Sequence, residues 1–123
     1  MDHRLFLAVR ARVLADLEAR QQATAPVVSV LEEAVAARRW WAEQWPEGEM
    51  YVAGLVAQDV QDAVVDSGGR WPECLSCRGA PVHALHIQPD LGGPDPVWVC
   101  EESGTPVAEL GRLSSRGPGG PRA

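Results

Sequence analysis

The stretch Trp71-Pro72-Glu73-Cys74-Leu75-Ser76-Cys77-Arg78-Gly79 constrains this chain more than any other, because Cys100 is the one thiol that lies outside it. A Cys-x-x-Cys turn folds two sulfurs to one side of the backbone with amides aimed at them. Gly79, two residues past Cys77, sits where such knuckles often need a positive φ. His83 and His86 follow, and Cys100 brings a third sulfur from a later segment. These are the donors of one tetrahedral zinc: Cys74, Cys77, Cys100 and one histidine.

The choice of histidine is a question of strand parity, since His83 and His86 are three apart and an extended strand points them to opposite faces. A hairpin turning tightly on Gly92-Gly93 sets Leu85 opposite Cys100 and places His83 on the same face, so His83 is the preferred ligand. A loop one residue longer or shorter selects His86. The run Cys100-Glu101-Glu102-Ser103-Gly104 has the shape of a second knuckle in which serine stands where a fourth thiol would. Serine is a poor zinc ligand, so a histidine has to complete the set.

A zinc with four protein ligands is structural, because a catalytic one keeps a position open for water. No catalytic residue is assigned. Glu73, Glu101 and Glu102 lie nearby, but glutamates on a small acidic protein are ordinarily solvated. A ribbon of this size buries too little apolar surface to fold alone, so its stability should come largely from the metal. Its loss should loosen the C-terminal half and spare the helices. Trp71 and Trp98 are placed to cover the site or dock it on the rest of the chain.

Composition points the same way. No apolar run reaches the length of a membrane span, and Arg4, Arg10 and Arg12 interrupt any signal-peptide core near the start. A cytoplasmic protein is expected, where thiols stay reduced, and three cysteines there suit a metal better than a disulfide. The formal charge of -6 disfavours a protein built to grip a phosphate backbone. Every basic side chain is arginine, which reads as a coding bias and not as a recognition feature.

The first half reads as helix. Leu5, Val9, Val13 and Leu17 recur at four-residue intervals from Asp2 to about Gln22, with Phe6 on the same flank and Arg4, Arg12, Asp16 and Glu18 elsewhere. Thr24 can cap a second helix, from about Pro26 to Trp45, whose inner face holds Val27, Leu31, Ala34, Val35, Trp41 and Trp45. Pro46-Glu47-Gly48 stops it. A third helix from about Glu49 to Asp66 carries Val52, Leu55, Val56, Val60, Ala63 and Val64, and Ser67-Gly68-Gly69 ends it. Its polar side, Gln58, Asp59, Gln61, Asp62 and Asp66, reads as a solvated face.

After Arg70 alternation replaces helical spacing. Residues 82–87 and 96–100 read as two strands of an antiparallel hairpin joined through a Pro- and Gly-rich loop. Residues 114–123 have no apolar anchor and read as a disordered tail. The expected fold is α+β: a helical unit over residues 1–69, a zinc-ribbon-like module over 70–113, then the tail.

The run Trp-Pro-x-Cys-x-x-Cys, then His-x-Leu, then Val-Trp-Val-Cys, preceded by a helix ending near Gln61-Asp62-Ala63-Val64-Val65, resembles a class of short uncharacterised proteins encoded by actinobacteria and their phages. The likeness covers about residues 61–113. It departs from zinc-ribbon knuckles in general at Ser103. It implies zinc and carries no activity.

The functional expectation is therefore a small zinc-binding protein that acts as a protein-interaction or adaptor module. Nucleic-acid binding through the ribbon is the alternative, and it requires Arg70, Arg78, Arg112 and Arg116 to gather on one face. A zinc enzyme is the third option, and it requires an accessible metal with a glutamate such as Glu73 or Glu101 aimed at it. The cluster Arg38-Arg39-Trp40-Trp41 with Trp45 reads as core packing with two surface arginines, and an exposed Trp40 would mark a protein contact.

Overall fold

The computed structural model describes residues 3–77, 81–90 and 93–114 of the 123-residue chain. Three helices precede a three-stranded antiparallel sheet, an α+β arrangement: α1 (His3–Ala19), α2 (Ala25–Gln44), α3 (Val52–Asp66), β1 (Leu85–Gln88), β2 (Val97–Cys100) and β3 (Pro106–Glu109). Of the expected tail over residues 114–123 only Ser114 is described, its carbonyl accepting from Arg20, and residues 115–123 lie outside the described residues, as do Arg78, Gly79 and Gly92.

The helices form where apolar spacing predicts them. Phe6, Val9, Val13 and Leu17 bury one stripe of α1, while Leu31, Ala34 and Ala42 do so on α2. Thr24 caps α2, its hydroxyl accepting the Val27 amide at 3.4 Å, and Pro26 occupies the first turn. Arg10 pairs with Glu32, and the Arg39 guanidinium meets His3 Nε2 at 2.9 Å, so α1 and α2 run antiparallel. Arg38 grips Asp59 through two hydrogen bonds of 2.8 and 2.9 Å, and a small apolar cavity lies between Val27 and Val30 on α2 and Ala63 and Val64 on α3. Those contacts make α2 and α3 antiparallel as well. Gly68, with φ of +90°, lets the chain leave α3.

Four expectations need correction. Residues 46–51 wind as a 3-10 turn, so the third helix begins at Val52 and not at Glu49. Trp45 leaves the helical register with φ of -142° and is 43% exposed, stacked on Tyr51 and edge-on to Trp41, instead of facing the core. Asp16, read as part of the polar side of α1, is fully buried. The polar side of α3 is also engaged: Asp59 holds Arg38, Gln58 donates to the Asp90 carbonyl, and Gln61 reaches the sheet.

The sheet runs in the order β1-β2-β3, and β3 was not foreseen. In β1–β2, Leu85 faces Cys100 and Ile87 faces Trp98, which puts these four on the inner side against the helices. His86 pairs with Val99 and Gln88 with Val97 on the other side. Val97 pairs with Glu109 and Trp98 with Ala108 before the β2–β3 register shifts between Trp98 and Val99. The proline at the start of β3 is tolerated because an edge strand does not need every amide.

Helices and sheet share one cluster of buried side chains, from Phe6 and Leu31 to Trp71, Leu85, Trp98 and Leu113. Trp71 and Trp98 are fully buried, with ring centroids 5.2 Å apart in an edge-to-face pair. Among the described residues no helix is long and apolar enough to cross a membrane.

Candidate metal centre

The Cys-x-x-Cys segment is laid against the chain that follows it. The Cys74 amide donates to the His83 carbonyl at 2.8 Å, the Leu85 amide donates to the Pro72 carbonyl at 2.7 Å, and Glu73 bridges Ala84. Gln61 of α3 donates through Nε2 to the carbonyls of Trp71 (3.0 Å) and Leu85 (2.6 Å), tying both limbs to the helical unit. Cys100 enters from the inner side of β2, opposite Leu85.

These elements bring four donor atoms together. The Sγ atoms of Cys74, Cys77 and Cys100 and a ring nitrogen of His83 all lie within 4.8 Å of one another. Cys100 Sγ is 3.8 Å from Cys74 Sγ, 3.5 Å from Cys77 Sγ and 3.5 Å from His83 Nε2. A tetrahedral zinc with Zn–S near 2.3 Å and Zn–N near 2.0 Å requires edges of about 3.8 Å between sulfurs and about 3.6 Å from sulfur to nitrogen. The observed edges fit that tetrahedron. They are far longer than a disulfide bond of about 2.05 Å, and all three cysteines are free.

His83 and not His86 joins the cluster. The eight residues between Gln88 and Val97 make a loop much longer than a tight turn, but an even number keeps the parity, so Leu85 still faces Cys100 and His83 shares its side. His83 Nδ1 donates to the Pro81 carbonyl at 2.8 Å, which orients the ring with Nε2 toward the sulfurs. The ring of His86, on the opposite side of the sheet, contacts Gln88 at 2.9 Å.

The second knuckle is a real turn. The Gly104 amide donates to the Cys100 carbonyl at 2.8 Å, Gly104 takes φ of +73°, and the Ser103 amide points at Cys100 Sγ from 3.5 Å. The Ser103 hydroxyl is bonded to Thr105, at 3.0 Å. Charge is unevenly shared among the four donors. Hydrogen bonds from Ser103, and then His83, pull the Cys100 thiol down to about 5. The same Cys100 sulfur, followed by burial, pushes Cys77 up to about 11. The Pro81 carbonyl and then Cys100 keep His83 protonated up to about 9.

A residue that sequence reasoning missed holds the site against α1. Asp16 Oδ2 accepts from Trp98 Nε1 at 2.8 Å and from the Gly111 amide at 2.7 Å, and its Oδ1 accepts from the Leu113 amide at 3.0 Å. Its own carbonyl accepts Trp71 Nε1 at 3.2 Å. Both tryptophans flank cluster residues, three residues before Cys74 and two before Cys100. One turn further on, Arg20 donates to the carbonyls of Glu73 (2.5 Å) and Ser114 (2.8 Å). Burial pushes the Asp16 carboxyl above the usual carboxylate value, against the downward pull of Gly111, Trp98, Leu113 and Arg20. The signal available in the sequence was an Asp and an Arg one helical turn apart beside the apolar stripe of α1. Nothing marked them as facing inward.

Fold and cluster together define the class: a small α+β protein with three cysteines and one histidine arranged as metal ligands. The chain belongs to an uncharacterised family, since the family model described as Domain of unknown function (DUF8819) matches residues 2–110. No curated protein and no solved structure matches the chain.

Proposed function

We propose that this chain holds one structural zinc ion on Cys74, Cys77, His83 and Cys100 and acts as a non-catalytic adaptor that binds another protein. The observation that carries the metal is the set of 3.5–3.8 Å edges, which suits zinc and leaves all four corners to the protein. The sulfur-rich donor set favours zinc over magnesium or calcium, which take oxygen. The likeness to zinc-ribbon knuckles agrees with this, and reduced thiols suit a cytoplasmic setting.

Protein binding is supported by what surrounds the site. Leu75, between the two knuckle cysteines, and Val82, next to His83, are 39% and 57% exposed. Trp40 on α2 is 63% exposed, and tryptophan is favoured at protein interfaces. The net charge of -6 weighs against a nucleic-acid backbone as the partner.

Two measurements test the reading. Native mass spectrometry should find the chain heavier by one zinc and return it to the apo mass after chelation, and a mass indifferent to chelator removes the metal. A pull-down from the native host comparing wild type with Cys77→Ala should lose its partners in the variant. Partners retained by a zinc-free variant would move the contact surface away from the ribbon, and salt-sensitive retention on heparin would turn the reading toward nucleic acid.

A further inference from the structure

We infer that the three cysteines of this site also form a peroxide-responsive switch, in which Cys77 and Cys100 join as a disulfide and the metal is expelled; the inference rests on the zinc reading above. Three observations carry it. All three sulfurs lie within 4.8 Å of one another, and Cys77 is 3.5 Å from Cys100, about 1.5 Å beyond a disulfide bond. Cys77 is half-buried while Cys74 and Cys100 are buried, so a small oxidant in water reaches Cys77 first. The donor set is odd in sulfur: one disulfide consumes two thiolates and leaves only Cys74 and His83, too few to retain zinc.

The chemistry balances with hydrogen peroxide as the oxidant. The Cys77 sulfur, a thiolate when it is a zinc ligand, attacks one peroxide oxygen, the O–O bond breaks, and Cys77 becomes a sulfenic acid as hydroxide leaves. The neighbouring Cys100 sulfur then attacks Cys77, the S–S bond forms, and a second hydroxide leaves. Two solvent protons convert both hydroxides to water. The two sulfurs lose one electron each and peroxide gains both. Zinc departs with Cys74 as a free thiol, and a dithiol reductant reverses the step. The segment bearing Leu75 and Val82 then loses the ion that fixes it, which couples oxidation to the proposed contact surface.

The test uses the full zinc-loaded chain. Metal content is measured first by native mass spectrometry. The protein is then treated with a small excess of hydrogen peroxide while released zinc is followed with a colorimetric chelator and free thiols are titrated. The expected result is one zinc released per chain as the thiol count falls from three to one, a Cys77–Cys100 disulfide in the non-reduced peptide map, and zinc rebinding after dithiothreitol. The Cys74→Ser variant, stripped of metal, should form the same disulfide, which separates the sulfur chemistry from the metal. A chain that carries no zinc before treatment defeats the metal reading and this one together. A zinc-loaded chain that keeps its metal and thiols under peroxide, forms a Cys74–Cys77 bond, or goes directly to sulfinic acid overturns the switch and leaves the zinc reading standing.

Discussion

At the scale of single residues, Asp16 is where a small change has the largest consequence. It is fully buried, it satisfies the Trp98 indole and two backbone amides, and no other group on the described chain takes those three bonds. Asp16→Ala strands three donors, two of them buried, at about 1–3 kcal/mol each for the buried ones. Relaxation and water entry recover part of that, so the expected loss is about 3–5 kcal/mol, read from the midpoint of urea unfolding. Asp16→Asn keeps one oxygen for Trp98 and Gly111 and turns an amide NH2 toward the Leu113 amide, so it should lose about half as much. Equal losses for both variants would mean that the charge, and not the acceptor geometry, carries the stability. The folded pKa of Asp16 is raised, so its titration adds most to stability below the ordinary value near 3.8 and that contribution fades as pH rises through the folded pKa.

The ligands make a second prediction at the same scale. At pH 7 Cys77, pushed up to about 11, is a thiol and His83, raised to about 9, is an imidazolium, while Cys100 near 5 is already a thiolate. Metal ligands bind deprotonated, so uptake at pH 7 should release one proton from Cys77 and one from His83. Titration calorimetry in buffers of different ionisation enthalpy counts them, and apparent affinity should rise with pH from 6 to 8. Affinity independent of pH over that range would contradict the assignment of either ligand.

At the scale of elements, the 3-10 turn between α2 and α3 depends on one glycine. A Cβ on Gly48 would lie 2.7 Å from two Trp41 ring atoms and 2.8 Å from a Trp45 ring atom. The aromatic cluster packs directly on its backbone, so Gly48→Ala has to displace two indoles and should cost about 1–3 kcal/mol, with a shift in tryptophan fluorescence. Gln61→Ala removes two hydrogen bonds from α3 to the segments that carry the Cys/His cluster and should cost about 1–2 kcal/mol while weakening metal retention. Unchanged metal retention in that variant would show the knuckle to be held by its own backbone bonds. β3 escaped the sequence reading for a reason visible in its residues. Pro-Val-Ala-Glu has no alternation and only Val107 as a strong strand former, and it is held by pairing with β2 and by the Leu110 amide on the Pro96 carbonyl.

At the scale of the whole molecule, the candidate metal site is not an appendage. Helices and sheet share one core, and both tryptophans that flank the ligands hang from Asp16 of α1. Chelation should therefore raise amide hydrogen exchange in the last turn of α1, around Asp16 to Ala19, as well as in the sheet. If α1 stays fully protected while the sheet exchanges, the two halves are independent and the helices survive metal loss as a separate unit.

Periodicity and ligand chemistry were enough to place three helices, a hairpin, the Thr24 cap and all four cluster residues, because these depend on spacing along the chain. A four-residue apolar interval has one favourable partner surface, and three thiols with histidines in a short stretch have few other uses. Strand parity alone pointed to His83, and it held because an even loop preserves the side of the sheet. Contacts across the fold decided the rest. Asp16 became buried, Gln61 a tether and residues 106–109 a strand because each depends on groups seven to nearly a hundred positions away, while Trp45 turned outward onto Tyr51 where the chain leaves α2. Local preference says nothing about such partners. A polar side chain turns inward only when the assembled chain presents donors that repay its loss of water.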